Sequence, residues 1–554
     1  MQPVKQKLSV GRQNFRNLRN SGCVYVDKTR QIVSLLDNYE SCFLARPRRF
    51  GKSLTVSTIE TLLSGNRQYF NGLVAAEEFL DRPTFKPRGV ISLDFSSVSI
   101  KHGVDIMNVR IKDAVDTSAH FNKISIDASD APTAFSQLIR KVYDIHNKEI
   151  AILIDEYDKP ITASIDNPII TSSARELLEE FCSNLKKMNN YISFTLVTGI
   201  TFFAKFGFSS TLNHLTDISL KPEYSGLCGY TQDELIGYFS PSISHIAEIQ
   251  GLTEDEILEK IKFYYDGYSF DGEMRVYNPY SVITLFDEKV FDTHWSNTSS
   301  PTFVEKYMAR KNNTMDEFVK VRVLRTDLVN AKEIESVDTA ILLYQGGYLT
   351  ISKKINSGTF ILDYPNQEVM KSMARILASN FFKTVKMSRE LSARIVKFFM
   401  ARDIAAILQE LNIVLSDVGY DAYNELAKTR NIRHEFIYRE LFSIFMMGTY
   451  DIDVLQEVFG SKGRADIVAR SSGNVVVFEV KVAYEGDDPI EKLKEAENQI
   501  LERRYLDQHF FTADIVTMVA MVVTHAERRI THHTCRNVRR EDVLSSKLVE
   551  ISAV

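Results

Sequence analysis

Residues 41–55 read Ser-Cys-Phe-Leu-Ala-Arg-Pro-Arg-Arg-Phe-Gly-Lys-Ser-Leu-Thr. The apolar run from Cys42 to Ala45 predicts a strand, a basic turn follows it, and Gly-Lys-Ser opens a helix. A phosphate-binding loop has this layout. In such a loop Gly51 lets the backbone approach the phosphates, Lys52 reaches the β- and γ-phosphates, and the Ser53 hydroxyl coordinates Mg²⁺.

The loop departs from the general pattern at one position. That pattern asks for a glycine five residues before Gly51, and Arg46 stands there instead. A bare Gly-Lys-Ser also arises by chance. The tripeptide therefore needs a partner elsewhere in the chain before it indicates nucleotide binding.

A second stretch, from Glu149 to Asp158, is an apolar run that ends in acidic residues. Uninterrupted apolar character suits a strand that is buried on both faces of a parallel sheet. The acids then lie at the carboxyl end of the strand, where open α/β sheets bind their ligands. We expect Asp155 to hold Mg²⁺ and Glu156 to orient or deprotonate the attacking water. The alternative is an ordinary buried strand followed by a polar turn.

Strands and helices alternate from residue 40 to residue 220. Further strands are predicted at 89–95 and 192–197, and the main helices at 54–63, 134–145 and 175–188. This alternation predicts a doubly wound parallel sheet. Thr198, at the tip of a strand, is a candidate for sensing the γ-phosphate, although a turn without a role fits equally. Residues 221–385 lose the alternation and predict a helical lid and a helix-rich middle region.

Several strings in the first three hundred residues resemble the AAA-ATPase-like family of bacterial and symbiont proteins. They include Tyr25 to Thr29, Ala45 to Leu54, Ser92 to Phe95, Ile154 to Asp158, Thr198 to Ile200, Tyr265 to Tyr268 and Tyr277 to Ser281. The loop of that family itself reads Arg-Pro-Arg-Arg-Phe-Gly-Lys-Ser, so Arg46 is in keeping with it.

The resemblance implies ATP and Mg²⁺ as cofactors. The residues expected at the nucleotide are Arg46, Arg49, Gly51, Lys52, Ser53, Leu54, Asp155 and Thr198, with Ser53 and Asp155 at the metal. The arginine that completes the site stays open between the loop arginines and one from a neighbouring subunit, which leaves a homo-oligomer open as well.

The segment from Gly463 to Val482 is the second informative region. Two β-rich runs joined by a glycine turn predict a hairpin. Side chains alternate along a strand, so Glu479 and Lys481 point to one face, where Asp466 of the neighbouring strand can meet them. Two carboxylates and a lysine on one face form a candidate Mg²⁺ site. A surface hairpin with a charged face is the alternative.

The flanks of this hairpin resemble the PD-(D/E)XK nuclease family over about residues 430–525. The matching segments are Gly463 to Val468, Phe478 to Lys481, Ala496 with Gln499, Ile500 and Tyr505, and His434 to Tyr438, with Glu457 in the strand before. The resemblance implies a restriction-endonuclease-like α/β domain with a catalytic triad of Asp466, Glu479 and Lys481. It adds Glu435 as a further metal carboxylate, Mg²⁺ or Mn²⁺ as the metal, and nucleic acid, DNA rather than RNA, as the substrate.

Composition sets outer bounds on these expectations. A chain of 554 residues is expected to form two to four domains, which we predict at 1–220, 221–385 and 386–554. The net charge of −5 does not indicate a nucleic-acid-binding protein that is basic overall. A basic surface on one face is still compatible with it. Five scattered cysteines favour reduced thiols and a cytoplasmic setting, and no apolar run is long enough to span a membrane.

The sequence therefore predicts an ATP-binding and ATP-hydrolysing protein coupled to a Mg²⁺-dependent nuclease. The alternative is a nucleotide-switched module that binds protein or nucleic acid and carries a catalytically silent nuclease domain. An ATPase whose carboxyl-terminal domain recruits a protein partner, and a loop that binds ATP without hydrolysis, also remain open.

Overall fold

A computed structural model describes residues 7–98, 103–164, 167–200, 214–299, 304, 307–308, 313–329, 338–382, 389–418, 433–449, 451–459, 463–511 and 513–541. The chain divides into two compact units. The first comprises Met1–Lys306 and Phe318–Val369, and the second comprises Tyr307–Glu317 and Met370–Val554.

The first unit is built on a five-stranded sheet with the strand order β2-β3-β4-β1-β5. Its strands are β1 (Ser41–Ala45), β2 (Val90–Asp94), β3 (Ile150–Asp155), β4 (Ile192–Gly199) and β5 (Thr216–Asp217). Every neighbouring pair is parallel, which confirms the predicted fold class. All six residues of β3 are buried, as its continuous apolar sequence indicates.

The register of this sheet brings its functional ends together. Leu44 of β1 pairs with Thr198 of β4, and Ile154 of β3 pairs with Val197 of β4. The carboxyl ends of β1, β4 and β3 therefore lie side by side at one edge, so the loop after β1 and the acids after β3 face the same region.

Helices connect these strands. Their bounds are Phe15–Asn20, Thr29–Asn38, Lys52–Leu63, Val104–Phe121, Ala131–His146, Lys159–Thr162 and Pro168–Lys187. Two of them begin earlier than the sequence predicted, at 131 rather than 134 and at 168 rather than 175. Asp130 and Asn167 cap the first turns with their side chains, and a proline lies in each first turn, which explains the earlier starts.

The remainder of the first unit is mainly helical and also contains a small sheet. Its helices are Gln232–Gln250, Glu254–Tyr265, Pro279–Glu288, His294–Ser299, Arg325–Val329 and Thr339–Gly346. The strands β6 (Val321–Leu324), β7 (Thr350–Asn356) and β8 (Thr359–Asp363) form an antiparallel sheet in the order β6-β8-β7. The middle region, which the sequence predicts to be helix-rich with strand-like pieces at 341–360, thus holds three strands as well.

The second unit has a mixed five-stranded sheet with the order β13-β12-β11-β10-β9. Its strands are β9 (Asp453–Phe459), β10 (Arg464–Ser471), β11 (Asn474–Ala483), β12 (Ile515–Thr524) and β13 (Arg529–Arg539). Strands β11 and β12 run parallel and the other pairs antiparallel. The predicted hairpin is confirmed, because β10 and β11 pair across a turn in which Gly473 has φ 80°.

Helices cover the sheet of the second unit. The core between these helices and the sheet is apolar. Their bounds are Arg389–Met400, Ile404–Ser416, His434–Met447 and Pro489–Glu502, and the helix Gln367–Phe381 continues into this unit from the first. Ala496 and Ile500 of the helix Pro489–Glu502 join one buried cluster with Val477 and Met518 of the sheet. In the described ranges, no helix combines the length and the apolar character needed to cross a bilayer.

Candidate functional site

The loop after β1 has the backbone of an anion cradle. Arg49 and Gly51 adopt left-handed conformations with φ 66° and φ 94°, and a Cβ added to Gly51 would meet nothing within 4 Å. The helix starts at Lys52, so its first N–H groups face the loop. Lys52 Nζ donates to the carbonyl oxygens of Arg46 at 2.9 Å and Pro47 at 3.0 Å, which holds the loop around its lysine. Burial lowers the pKa of Lys52, and the charges of Glu156 and Asp155 oppose that shift.

The structure places Arg46 away from the expected nucleotide contact. Its side chain is 1% exposed, and its guanidinium donates to the carbonyl oxygens of Ala45, Ser219 and Tyr224 at 2.8–2.9 Å. The same group lies over the ring of Phe270, 3.9 Å from its centroid. Arg46 therefore anchors the end of β1 from the protein interior.

The acids after β3 lie at the same edge of the sheet as the loop. Thr198 Oγ1 donates a hydrogen bond to Asp155 Oδ1, so the two residues that the sequence placed at the nucleotide are in direct contact. Glu156 has a left-handed φ of 53°, which turns the chain sharply after the strand. Burial raises the pKa of Glu156, the Lys52 charge lowers it, and the Asp155 charge raises it further.

A cleft of about 310 Å³ lies over this loop. Its lining includes the predicted residues Arg49, Gly51, Lys52, Ser53, Leu54 and Glu156. It also includes residues that the sequence analysis did not assign, namely Ser9 to Gln13, Arg48, Ser96, Lys159, Tyr230, Pro279, Tyr280 and Ile283. Asp155 and Thr198 are buried. The open space at Gly51, the buried lysine and the adjacent acids fit a nucleotide with Mg²⁺.

Residues from distant parts of the first unit support the loop. Trp295 Nε1 donates to the carbonyl oxygen of Arg48 at 3.2 Å. Gly347 approaches Pro47 so closely that an added Cβ would lie 2.7 Å from the proline Cβ. The Phe50 ring packs edge-on against Tyr268 at 4.7 Å. These contacts fix the loop through residues that do not line the cleft.

The predicted carboxylates and lysine of the second unit converge near the ends of β10 and β11. Lys481 Nζ lies 3.2 Å from Glu479 Oε1 and 3.3 Å from Glu435 Oε1. Asp466 Oδ2 accepts from the backbone N–H of Val480 at 3.0 Å, which fixes the aspartate against β11. All four predicted residues are thus brought together, with Glu435 supplied by the first turn of the helix His434–Met447.

Arg439 belongs to this group although the sequence analysis did not name it. Its guanidinium lies 3.5 Å from Asp466 Oδ1. Arg439 follows Glu435 by four residues on one helix, and that spacing puts both side chains on one face. Helical spacing was therefore a signal that could have identified it. The side chain of Glu457, which the family resemblance singled out, lies outside the described residues.

The surroundings of these groups raise the pKa of two carboxyls, Glu479 and Asp466, and of the lysine Lys481. Burial raises the pKa of Glu479, and the Asp466 charge raises it further. Burial also raises the pKa of Asp466, although the hydrogen bond from the Val480 N–H and the Arg439 charge both lower it. Burial by itself lowers the pKa of Lys481, but the charges of Glu479, Glu435 and Asp466 outweigh it and raise the value.

One buried atom indicates that a cation fits here. Glu479 is 0% exposed, and its Oε2 atom has no hydrogen-bond partner among the described residues. A buried carboxylate oxygen without a donor is costly unless a cation neutralises it. Within the same residues no three His, Cys, Asp or Glu side chains are already gathered around one point. A metal ion would therefore take ligands from Asp466 and Glu479 and complete its shell with water or substrate oxygens.

Comparisons with known proteins match two regions of the chain. Residues 9–209 match the family model described as "Predicted AAA-ATPase", and residues 433–533 match that of the "PD-(D/E)XK nuclease superfamily". The chain is also 28% identical over 534 residues to "Uncharacterized protein in vnfD 5'region" from Azotobacter chroococcum mcd 1. That match covers 95% of this chain and 98% of the relative. The chain is therefore similar to the predicted AAA-ATPase family over residues 9–209 and to the PD-(D/E)XK nuclease superfamily over residues 433–533.

Proposed function

We propose that the first domain binds and hydrolyses ATP with Mg²⁺, and that the second cuts phosphodiester bonds in DNA with Mg²⁺ or Mn²⁺. The observation that carries the nuclease proposal is the convergence of Asp466, Glu479 and Lys481 around a buried carboxylate oxygen that lacks a donor. We place this activity in the cytoplasm, because all five cysteines are free and four of them are buried.

In the ATPase site, Lys52 Nζ exchanges its two carbonyl partners for the β- and γ-phosphates. Ser53 and Asp155 hold the Mg²⁺, which neutralises phosphate charge when bound. Glu156 orients the attacking water and accepts its proton, and its raised pKa makes the ionised carboxylate a stronger base. Thr198 fixes Asp155 through its hydrogen bond.

In the nuclease site, Asp466 and Glu479 hold the metal ion, which when bound polarises the phosphate and lowers the pKa of a water. Lys481 Nζ, already at the centre of the carboxylates, donates to the phosphate oxygens as negative charge builds up on them. Arg439 keeps Asp466 oriented. Glu435 balances the lysine from the partly exposed side of the site.

The test is cleavage of supercoiled plasmid with Mg²⁺ or Mn²⁺, with and without ATP. We expect wild type to nick the plasmid and Glu479→Gln, a nearly isosteric change, to lose at least about 100-fold of the rate because a metal ligand is lost. Lys52→Ala should abolish any response to ATP. Cleavage that survives both Glu479→Gln and Asp466→Asn would contradict the site assignment.

We further propose that the nucleotide state of the first domain licenses cleavage by the second. The support is the presence of both domains in one chain, which allows a ligand of one to change the activity of the other. Cleavage at the same rate with and without ATP would show that the domains act independently.

A nucleotide-switched binding module with a silent nuclease domain is the second candidate. It is favoured by the absence, within the described ranges, of three metal-ligating side chains around one point, and by the ion pairs that already occupy Lys481. This candidate predicts that DNA is bound but never cut, with ATP turnover still lost in Lys52→Ala.

A further inference from the structure

Three aromatic side chains meet beside the carboxylate site. The rings of His434 and His525 are stacked with centroids 4.0 Å apart. The ring of Tyr484 lies 5.4 Å from that of His525 and 5.8 Å from that of His434. We call these three residues the ring cluster. They come from three elements, because His434 opens its helix, Tyr484 follows β11 and His525 follows β12.

The ring cluster borders the reacting centre. His434 precedes Glu435, whose carboxylate lies 3.3 Å from Lys481 Nζ. Tyr484 comes directly after β11, three residues after Lys481, and it is 42% exposed. A large aromatic ring is thus open to solvent, and the charge that raises its pKa comes from Glu435, the carboxylate that pairs with Lys481.

Cations accompany these rings. Burial, the neighbouring His434 and the Arg528 charge lower the pKa of His525, so Arg528 lies close to the cluster. Burial and the Glu435 charge raise the pKa of Tyr484, whereas a hydrogen bond from the His434 N–H and the charge of Arg433 lower it. Arg433 is therefore a second cation near the cluster. Aromatic rings interleaved with arginines are the arrangement that binds single-stranded nucleic acid, since bases stack on the rings and phosphates pair with the cations.

We propose that the ring cluster stacks an unpaired base of the nucleic-acid substrate next to the scissile phosphate. Bases inside a duplex are covered on both faces by their neighbours, so a side chain can stack only on a base that has left the helix. The inference rests on the proposed nuclease function and narrows its substrate class to strands with unpaired nucleotides. The other role open to the cluster is to brace the ends of three elements.

The experiment compares two labelled single strands of equal length and charge, one of thymidines and one of abasic residues. Binding is measured in an Asp466→Asn background, where the proposed cleavage does not proceed. We expect the thymidine strand to bind about tenfold more tightly than the abasic strand, which is the scale of one stacked base. Tyr484→Leu should bring the two affinities together, whereas Tyr484→Phe should keep the preference because it keeps the ring.

The outcomes separate stacking from bracing. A leucine variant with an unchanged unfolding midpoint that still prefers the thymidine strand overturns the proposal, as does the lack of any preference with Tyr484 intact. If Tyr484→Leu is unstable, His525→Leu provides the same comparison. Plasmid and single-strand cleavage by wild type are assayed in parallel. If the thymidine strand is preferred but nothing is cut, the nuclease function is refuted and the base-stacking site stands. If nucleic acid is cut but no strand is preferred, the nuclease function stands and the base-stacking site is refuted.

Discussion

Glu368 is a buried carboxyl group of the first unit, 0% exposed. Its oxygens accept from the Trp295 backbone N–H at 2.7 Å and from the Ser281 hydroxyl at 2.8 Å. Burial raises its pKa from 4.5 to about 8 although these two hydrogen bonds lower it. Through this one side chain, the stability of the first unit, which contains the loop after β1, depends on pH.

The sign of this link follows from proton uptake. Between pH 4.5 and about 8 the folded carboxyl keeps its proton and the unfolded one loses it, so stability is greatest below pH 4.5 and falls as pH rises. The limiting slope is about 1.4 kcal/mol per pH unit. We expect Glu368→Gln to flatten this decline, as measured by denaturant unfolding between these pH values. Glu223→Gln, at an exposed position, is the control and should leave the slope as in wild type.

Arg46 shows where residue-level prediction reached its limit. The string around it indicates the family, yet the role of the guanidinium depends on carbonyl groups at Ser219 and Tyr224 that no local pattern reveals. Asp466, Glu479 and Lys481 were predictable, since strand alternation and one hairpin bring them together. Tyr230, in an isolated β-bridge, and Tyr280, in the first turn of the helix Pro279–Glu288, line the cleft from far along the chain. Spacing within the loop could therefore not identify them.

At the scale of elements, the parallel sheet and the hairpin were predictable because their strands are continuous apolar runs or alternating ones. The first residues of helices were less predictable, because capping by Asp130 and Asn167 extends two helices beyond their apolar pattern. The small sheet β6-β8-β7 pairs strands that are separated in the chain, and its assembly depends on contacts between segments.

The hydrogen bond from Trp295 to the loop after β1 gives a prediction at this scale. Trp295→Phe keeps an aromatic ring but removes the N–H that binds the Arg48 carbonyl. A lost hydrogen bond is worth about 1 kcal/mol, so we expect ATP binding to weaken about fivefold, as measured by titration calorimetry. Tyr348→Phe, which alters the ring packed 5.1 Å from the same indole, should bind ATP as wild type does. Equal affinity in both variants would show that the loop holds its shape without the indole.

At the scale of the whole molecule, the chain consists of two compact units, for which we propose different ligands. We expect two unfolding transitions in calorimetry. Mg²⁺ with ATP at about 100 times its Kd should stabilise one of them by about 2.7 kcal/mol, because the ligand binds only the folded site. Lys52→Ala should remove this effect, and Glu479→Gln should leave it intact. A single transition that responds to ATP as a whole would mean that the units unfold together.

The division predicted from sequence at 1–220, 221–385 and 386–554 stays a prediction about domains. The two compact units group residues differently, since the segment Tyr307–Glu317 belongs with the second unit. Glu440, in the helix His434–Met447, accepts hydrogen bonds from the backbone of Met315 and Asp316. Sequence alone could not show this, because the contact joins segments more than a hundred residues apart.

The anchoring of Arg46 has a consequence for the order of folding. Its guanidinium binds carbonyl groups 173 and 178 residues further along the chain. During synthesis the loop itself leaves the ribosome early, but its shape is complete only when the chain beyond Tyr224 has arrived and packed. The match to the AAA-ATPase family ends at residue 209, before either carbonyl. A fragment cut at that point would contain every residue of the loop and lack the groups that hold it in place.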